Sequence, residues 1–363
     1  MDQANEKSDN RTVNDWLKRA VELNASDIFI GAGRRITLKI SGVLIPQGEG
    51  ILLPNESEKL ITGLYELARR PMTRYLDTGD DDFPVTVPGL ARFRINTYRQ
   101  RSTMAAIIRV VMFSIPNYKD LLIPDEVMRI ATENNGLALV TGPAGSGKST
   151  TLACIIDAIN KTRNCHIITL EDPIEYLHRD NQSLVSQREI STDTDSYMDA
   201  LRASLRQVPD IILLGEMRDH ETIRTAITAA ETGHLVISTL HTVGAANTID
   251  RIIDIFPAEQ QQQTRVQLSM VLRMVVSQRL LPNIAGESIP AFEIMRVNTA
   301  ISNLIREAKT HQIDNVIQTS MQDGMIGMDA FILKLYRNSD ITAETALKNA
   351  TNPDQMQRII GKS

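Results

Sequence analysis

The pattern of apolar positions changes near residue 122 and predicts two domains. From there onward, short apolar runs alternate with stretches of helical periodicity, and the runs lie at 137–141, 166–170, 211–214 and 235–240. Runs without a polar side fit strands buried on both faces, as in a parallel sheet between two layers of helices. After about residue 258 only helical patterns remain. The sequence therefore predicts an α/β domain at 122–363 with a helical C-terminal region from about residue 258.

The first 113 residues have a different pattern, in which short strands mix with helices. Helical spacing covers 14–23 and 56–67. Strand-like runs lie at 27–30, 36–40, 43–45, 92–98 and 104–111. This mixture predicts a small α+β domain at 1–113, of which we expect the polar residues 1–11 to be frayed. Residues 114–121 carry turn chemistry and no period, so we place a linker there.

A glycine-rich stretch lies between a predicted strand and a predicted helix. It fits G-x-x-x-x-G-K-[ST], the phosphate-binding loop of P-loop nucleotidases. Its residues are Gly142, Pro143, Ala144, Gly145, Ser146, Gly147, Lys148, Ser149 and Thr150. Glycines let backbone N–H groups close on phosphate oxygens, and the helix N-terminus adds positive charge. We predict that Lys148 neutralises the β- and γ-phosphates of ATP and that the Ser149 hydroxyl binds Mg²⁺. The alternative, a chance glycine-rich turn, conflicts with the strand before it and the helix after it.

Carboxylates follow two further predicted strands. The run 209–216 is apolar and ends in Glu216, which is the form of a Walker B element. Ligands bind at the carboxyl ends of parallel strands. Glu216 is therefore predicted to hold Mg²⁺, directly or through water, or to position the attacking water. Glu171, Asp172 and Glu175 follow the other strand. They can bind a cation or act as a base, and an ordinary cluster at a strand end is the equal alternative.

Histidines stand at both ends of the predicted strand 235–240. His234 and His241 are seven residues apart, so they cannot share one ligand or form a metal site. His241 lies at the carboxyl end, where it can contact a γ-phosphate. His234 is predicted to be structural or to lie at an interface.

Arginines are concentrated in the predicted N-terminal domain. The group consists of Arg92, Arg94, Arg99, Arg101 and Arg109. Arg92 and Arg94 share one face of their strand, since they alternate with apolar residues. One interpretation is a solvated basic face. The other is that these arginines complete a P-loop site that lacks its own catalytic arginine, an effect worth roughly 10³–10⁵ in rate. Arg218, which follows the Walker B strand, is a further candidate.

Composition and charge restrict the function. The 363 residues allow two domains, each with its own core. The net charge of −5 and the aromatic content of 4% give no support to nucleic-acid binding. Residues 1–113 carry 16 Lys and Arg against 14 Asp and Glu, whereas the remainder carries 23 against 30. The basic excess therefore belongs to the N-terminal part.

Cysteine usage and hydropathy bear on location. Cys154 and Cys165 form no C-x-x-C pair, so we expect neither a zinc knuckle nor a disulfide framework. The sequence has no apolar signal-peptide segment at its start and no run of about eighteen apolar residues. We therefore predict a cytoplasmic protein, and a membrane-bound partner is compatible with this location.

Four motifs together resemble the Walker A, Asp box, Walker B and His box of the type II/IV secretion ATPases. They are GPAGSGKST, ITLEDPIEY, ILLGEMRD and TGHLVISTLHT, and ARFRIN is similar to that family's N-terminal domain. The resemblance covers about residues 14–340. Residues 300–307, AISNLIRE, closely resemble the AIRNLIRE helix of the family's pilus-retraction branch, with Ser302 in place of an arginine. The absence of a four-cysteine zinc site and of a long N-terminal extension argues against the pilus-extension branch.

The resemblance implies a fold and a set of site residues. The implied fold is a small PAS-like α+β domain followed by a RecA-like P-loop ATPase domain. Glu171 and Glu175 become candidate bases, and Glu216 becomes the Walker B acid. The residues implied to face the nucleotide are Arg92, Arg94, Arg101, Arg109, His234 and His241.

The resemblance also implies an assembly and a partner. The family forms hexameric rings in which the N-terminal domain of one subunit packs on the ATPase domain of the next. The leading hypothesis is therefore a homohexameric ATPase, with ATP and Mg²⁺, that drives pilus retraction through an inner-membrane platform protein. We expect it at the cytoplasmic face of the inner membrane, held there by that partner.

Three other functions remain as hypotheses. They are a related motor for secretion or pilus extension, a regulatory subunit that binds ATP but hydrolyses it weakly, and a nucleic-acid motor. Four intact residues argue against the regulatory subunit: Lys148, Ser149, Glu171 and Glu216. The acidic balance and the few aromatic residues argue against the nucleic-acid motor.

Overall fold

The computed structural model describes residues 12–48, 50–111 and 114–361. The chain divides into two compact units: Met1–Ser114 with Glu175–Leu177, and Ile115–Ile174 with His178–Ser363. Of the predicted linker 114–121, only Ser114 belongs to the first unit. The prediction for residues 1–11 lies outside the described residues.

In the described part of the first unit, six strands form one antiparallel sheet in the order β3-β2-β1-β6-β5-β4. The strands are β1 (Ala25–Gly31), β2 (Thr37–Ile40), β3 (Val43–Pro46), β4 (Asp80–Val87), β5 (Ala91–Gln100) and β6 (Thr103–Val111). The helices are α1 (Val13–Glu22), α2 (Pro54–Ala68) and α3 (Thr73–Thr78). Thr12 caps the N-terminus of helix α1 and forms a capping box with Asp15. Trp16, Tyr65 and Phe93 are fully buried and belong to the core of this unit.

In the described part of the second unit, seven strands form one sheet in the order β13-β12-β7-β11-β10-β8-β9. They are β7 (Gly136–Thr141), β8 (His166–Glu171), β9 (Leu184–Glu189), β10 (Ile211–Leu214), β11 (Leu235–Leu240), β12 (Leu272–Pro282) and β13 (Ser288–Arg296). All neighbouring strands are parallel except the hairpin of β12 and β13.

Helices cover both faces of this sheet. They are α4 (Asp125–Met128), α5 (Lys148–Thr162), α6 (Tyr197–Ser204), α7 (His220–Glu231), α8 (Ala245–Asp254), α9 (Ala258–Val271), α10 (Thr299–Arg306), α11 (Ile313–Thr319), α12 (Met328–Arg337), α13 (Ala343–Asn349) and α14 (Pro353–Ile360). Every residue of β7, β10 and β11 is buried. In β7, Leu137 and Leu139 pack in one core, whereas Ala138 and Val140 pack in the other. The predicted parallel sheet between two helical layers is therefore confirmed.

The prediction that only helices follow residue 258 is wrong for residues 272–296. Helix α9 ends at Val271, and β12 begins at the next residue and pairs with β7. Side chains on both faces of β12 are buried. Its sequence therefore lacks the alternation of a half-buried strand and resembles a buried helix. The helical region begins only at Thr299.

The sequence pattern also did not predict the two edge strands β4 and β9. Strand β4 begins with three aspartates and contains Pro84, residue types that are rare in strands. Proline is tolerated there because β4 lies at the edge of its sheet.

Candidate active site

Four neighbouring parallel strands bring the predicted site residues of the second unit together. Strands β7, β11, β10 and β8 lie side by side in that order. Their carboxyl ends lead into the phosphate-binding loop, His241, Glu216 and Glu171, respectively. These groups therefore lie at one edge of the sheet, where ligands of such folds bind.

The phosphate-binding loop is shaped by its glycines and by strand β12. Gly142 and Gly147 have φ values of 144° and 86°, a region that side chains disfavour. A Cβ on Gly142 would lie 2.2 Å from the carbonyl oxygen of Gln278, and one on Gly147 would lie 2.9 Å from Gln278 Nε2. Gly142 therefore requires glycine for space as well as for conformation, whereas Gly147 requires it for conformation.

The loop has the chemistry that a phosphate group requires. Lys148 opens helix α5, and its Nζ donates to the carbonyl oxygens of Gly142 and Pro143, each at 2.9 Å. The Ser146 hydroxyl is buried and has no hydrogen-bond partner among the residues that the structure describes. An ammonium group, an unpaired hydroxyl and a helix N-terminus thus converge on one cradle, which fits the phosphates of a nucleotide.

Glu216 lies beside Arg218 and His241 at the end of β10. Its carboxylate forms an ion pair with Arg218, and His241 Nε2 is 3.5 Å from its Oε2. The hydrogen bond to Glu216 raises the pKa of Arg218. Arg218 and His241 have exposed side chains, whereas the side chain of Glu216 is 13% exposed. The carboxylate is an oxygen ligand of the kind that Mg²⁺ prefers, and the half-buried Ser149 hydroxyl is a second one.

Glu171 is held at the end of β8 by two neutral donors. Its Oε1 accepts hydrogen bonds from Thr169 Oγ1 at 2.6 Å and from Gln187 Nε2 at 3.1 Å. The peptide bond between the following two residues, Asp172 and Pro173, is cis. Glu175 is exposed and is grouped with the first compact unit, whereas Glu171 ends a strand of the second unit.

Tyr197 and Gln278 belong to this region but were not predicted from the sequence. Tyr197 is the first residue of α6, and its hydroxyl would lie 2.7 Å from a Cβ on Gly215. Burial raises the pKa of Tyr197, and the charge of Glu216 adds to this effect. Neither residue lies in a motif, because distant segments bring them here. The close approach of Tyr197 to Gly215 is visible only in the structure.

His234 lies at the opposite edge of the sheet. It precedes β11 at its amino end, and its ring Nδ1 donates to the carbonyl oxygen of Ala229 at 2.9 Å. The structure does not bring His234 to the phosphate-binding loop of its own chain. Its assignment to nucleotide binding there has no geometric support, and the structural role predicted from the sequence fits these contacts.

The predicted arginines of the first unit lie on β5, β6 and the turn between them. Arg94 and Arg109 are directly opposite each other in the sheet, and both are exposed. Like charges in such a pair are destabilising. Arg109 Nε donates to Asp27 Oδ1 at 3.2 Å, and this buried carboxylate offsets the repulsion. Arg92 is half-buried on the same strand as Arg94, and Arg101 is exposed in the turn.

The helix that carries Ser302 is confirmed as α10. Ile301 and Ile305 are buried, whereas Arg306 and Glu307 are exposed. Ser302 Oγ donates to the carbonyl oxygen of Ser269 at 3.0 Å, so this position attaches α10 to α9.

Throughout the ranges 12–48, 50–111 and 114–361, no helix has the length and apolar composition needed to cross a bilayer.

The buried His178 is expected to lower the free energy of unfolding in mild acid. Burial lowers the pKa of His178 to about 4, and the charge of Asp157 opposes this in part. Within the described part of the chain, its buried Nδ1 has no hydrogen-bond partner. In the unfolded chain the pKa is about 6.5, so only the unfolded state gains a proton as pH falls from about 6.5 to about 4. The stabilisation is complete above this window and is lost within it.

We expect this residue to reduce the free energy of unfolding by roughly 2 kcal/mol between about pH 7.5 and about pH 5. Denaturant titrations of the wild type and of His178→Leu at both pH values measure the effect. The variant should lose this part of the pH dependence. An unchanged pH dependence in the variant would show that His178 is not responsible.

The glycine loop, the following helix and the acids at neighbouring strand ends define the second unit as a P-loop nucleotide-binding domain. The family model described as type II/IV secretion system protein matches residues 2–324. The chain belongs to this family, which confirms the resemblance inferred from the motifs.

Two relatives and one solved structure are similar to most of the chain. The type IV pilus retraction ATPase PilT of Pseudomonas aeruginosa is 42% identical over 347 residues, covering 94% of this chain and 99% of the relative. A twitching motility protein of Neisseria gonorrhoeae is 46% identical over 276 residues, covering 76% and 74%. The crystal structure of the pilus retraction motor PilT with bound ADP has a TM-score of 0.88 at 44% identity, covering 96% and 100%. The predicted fold class, an α+β domain followed by a RecA-like domain, is confirmed apart from the strands at 272–296.

Proposed function

We propose that this chain is an ATPase that forms hexameric rings and powers the retraction of type IV pili, and with it twitching motility. One observation carries the proposal: the phosphate-binding loop, His241, Glu216 and Glu171 follow four adjacent parallel strands. Relatives named as a pilus retraction ATPase and a twitching motility protein match most of the chain, which supports this choice of process.

Within the proposal, the residues of the loop and of β10 bind the nucleotide. Lys148 leaves the carbonyls of the loop and neutralises the β- and γ-phosphates of ATP. Ser149 and Glu216 would hold Mg²⁺, partly through water, and the ion would supply neutralising charge for the phosphates. His241, beside Glu216, contacts the γ-phosphate.

Glu171 is the proposed base that orients the attacking water and accepts its proton, ahead of Glu175. Hydrogen bonds from Thr169 and Gln187 fix the direction of the Glu171 carboxylate. A base must first be positioned and only then have a suitable pKa. Glu171 has the positioning contacts, whereas Glu175 is exposed in the other unit.

The exposed arginines are proposed to complete the site of a neighbouring subunit. Arg94 and Arg109 would stabilise the charge that develops on the transferred phosphate, with Arg92 and Arg101 binding the nucleotide. Arg218 would contribute from the same chain as the loop. Arg94 and Arg109 lie directly opposite each other and are both exposed, so their guanidinium groups are open to an anionic ligand.

The proposed ring works on a membrane partner. Its subunits would pack the N-terminal domain of one chain on the ATPase domain of the next, and hydrolysis would move these domains about the 114–121 linker. An inner-membrane platform protein would receive the motion and hold the ring at the cytoplasmic face. A motor for secretion or pilus extension is the alternative, and a regulatory subunit with weak hydrolysis is another.

Mixing two inactive variants is expected to restore hydrolysis. A chain with Arg94→Ala and Arg109→Ala keeps its phosphate-binding loop but cannot complete a neighbour's site. A Lys148→Ala chain keeps its arginines but cannot hydrolyse ATP. Mixed rings contain sites that pair an intact loop with intact arginines, so phosphate release should exceed that of either variant alone. Arg35, another arginine of the first unit, provides a control. We expect Arg35→Ala to leave phosphate release unchanged.

Subunit exchange between the two variants is measured separately, with differently labelled chains. Mixed rings that form but release no phosphate would contradict completion of the site by a neighbour. So would full activity of the wild type at a dilution where it is monomeric. In either case the arginines would form a solvated face of the first unit's sheet.

A further inference from the structure

Strand β12 lies directly against the phosphate-binding loop. It runs parallel to β7, with Ser277 paired to Thr141, the last residue before the loop. The next residue of β12, Gln278, is therefore level with the first glycine of the loop. Its carbonyl oxygen is the atom that a Cβ on Gly142 would meet at 2.2 Å.

The side chain of Gln278 reaches the other end of the loop. Its Oε1 accepts a hydrogen bond from Thr151 Oγ1 at 2.8 Å, and its Nε2 faces Gly147. Gln278 is 3% exposed and Thr151 is fully buried. Gln278 thus contacts the start of the loop through its backbone, and the end of the loop and the first turn of α5 through its amide.

The loop needs such support from outside. Pro143, Ala144 and Gly145, in its middle, are exposed and add little packing of their own. Backbone donors that bind phosphate are effective when they are held in place before the ligand arrives. A buried side chain that joins both ends of the loop meets this requirement.

We infer that Gln278 is a positioning residue for the nucleotide: it acts through Thr151 and the loop backbone to hold the phosphate-binding loop in its binding geometry. The inference rests on the proposed function. The amide suits this position because it accepts the buried Thr151 hydroxyl without bringing a charge near the phosphates. A carboxylate would accept the same hydrogen bond but repel the anion, and a thioether of similar size would fill the space without the hydrogen bond.

The test compares nucleotide affinity and turnover in four variants. Gln278→Met should raise the Kd for ADP and the KM for ATP roughly tenfold, while kcat at saturating ATP changes by less than about threefold. Gln278→Glu should weaken affinity further, because a buried carboxylate beside the loop repels the phosphates. Thr151→Val should match Gln278→Met, whereas Thr151→Ser, which keeps the hydroxyl, should restore wild-type affinity.

The double variant Gln278→Met with Thr151→Val separates a shared role from two local ones. Since both residues act through one hydrogen bond, its Kd should equal that of either single variant. Thermal unfolding identifies any variant that fails to fold, and the remaining member of the pair then carries the test. Two results would overturn the inference. One is that Kd and KM stay within about twofold of wild type in both folded single variants. The other is that the losses of affinity multiply in the double variant. Wild type that binds no ADP overturns the proposed function and this inference together.

Discussion

Replacing Lys148 with alanine is expected to abolish ATP hydrolysis by the purified chain. Lys148 is the first residue of helix α5, and its ammonium group donates hydrogen bonds to two carbonyl oxygens of the loop. In the proposed mechanism it exchanges these carbonyls for phosphate oxygens. Without it, the β- and γ-phosphates lose both a neutralising charge and their orientation. We expect phosphate release to fall by about a thousandfold or more, which corresponds to ~4 kcal/mol of transition-state stabilisation.

A matched control lies on the same helix. Lys161, at the other end of α5, pairs with Asp157 at a distance of 2.6 Å and is remote from the loop in sequence. Lys161→Ala should retain wild-type activity and show that loss of one lysine from α5 is not itself damaging. A folded Lys148→Ala protein that keeps activity within a few-fold of wild type would rule out the P-loop assignment.

Replacing Glu216 with alanine is expected to separate binding from turnover. The loop grips the phosphates, whereas the acid at the end of β10 serves the metal and the attacking water. ATP affinity should therefore stay within a few-fold of wild type. The turnover number should fall by about a hundredfold or more, or ~3 kcal/mol. Equilibrium binding of an ATP analogue and steady-state phosphate release measure the two effects.

The partner of Glu216 provides the control for this experiment. If Glu216 mattered only because it anchors Arg218, then Arg218→Ala should cause the same loss of turnover. We expect a smaller loss. An affinity that collapses together with turnover in Glu216→Ala would assign Glu216 to binding or structure instead. In the same assay, Glu171→Gln should slow turnover more than Glu175→Gln, and the reverse order would exchange their roles.

Local sequence pattern predicted the parts of this molecule that local chemistry determines. The strand, the glycine loop and helix α5 are contiguous, so one motif with its flanks contains all the information. The run 211–214 and Glu216 were predicted for the same reason. Their meeting at one sheet edge followed from the rule that parallel strands carry their ligands at their carboxyl ends.

Long-range packing determined what the sequence did not predict. Strand β12 follows α9 without a loop and is buried on both faces, so its pattern carried no strand signal. Gln278, on that strand, is 127 residues from Thr151 along the chain. Tyr197 meets Gly215 only because α6 packs beside β10. His234 shows the opposite case, since a motif placed it in the site and the strand direction placed it at the other edge.

Counting surface pili measures the central claim most directly. The gene is deleted in the organism that carries it, and the deletion strain is complemented with the wild-type or the Lys148→Ala chain. We predict that deletion causes surface pili to accumulate while twitching stops, that the wild-type chain reverses both effects, and that the Lys148→Ala chain reverses neither. Loss of surface pili on deletion would instead assign the chain to pilus extension. An unchanged number of pili, or full complementation by Lys148→Ala, would contradict an ATP-driven retraction motor.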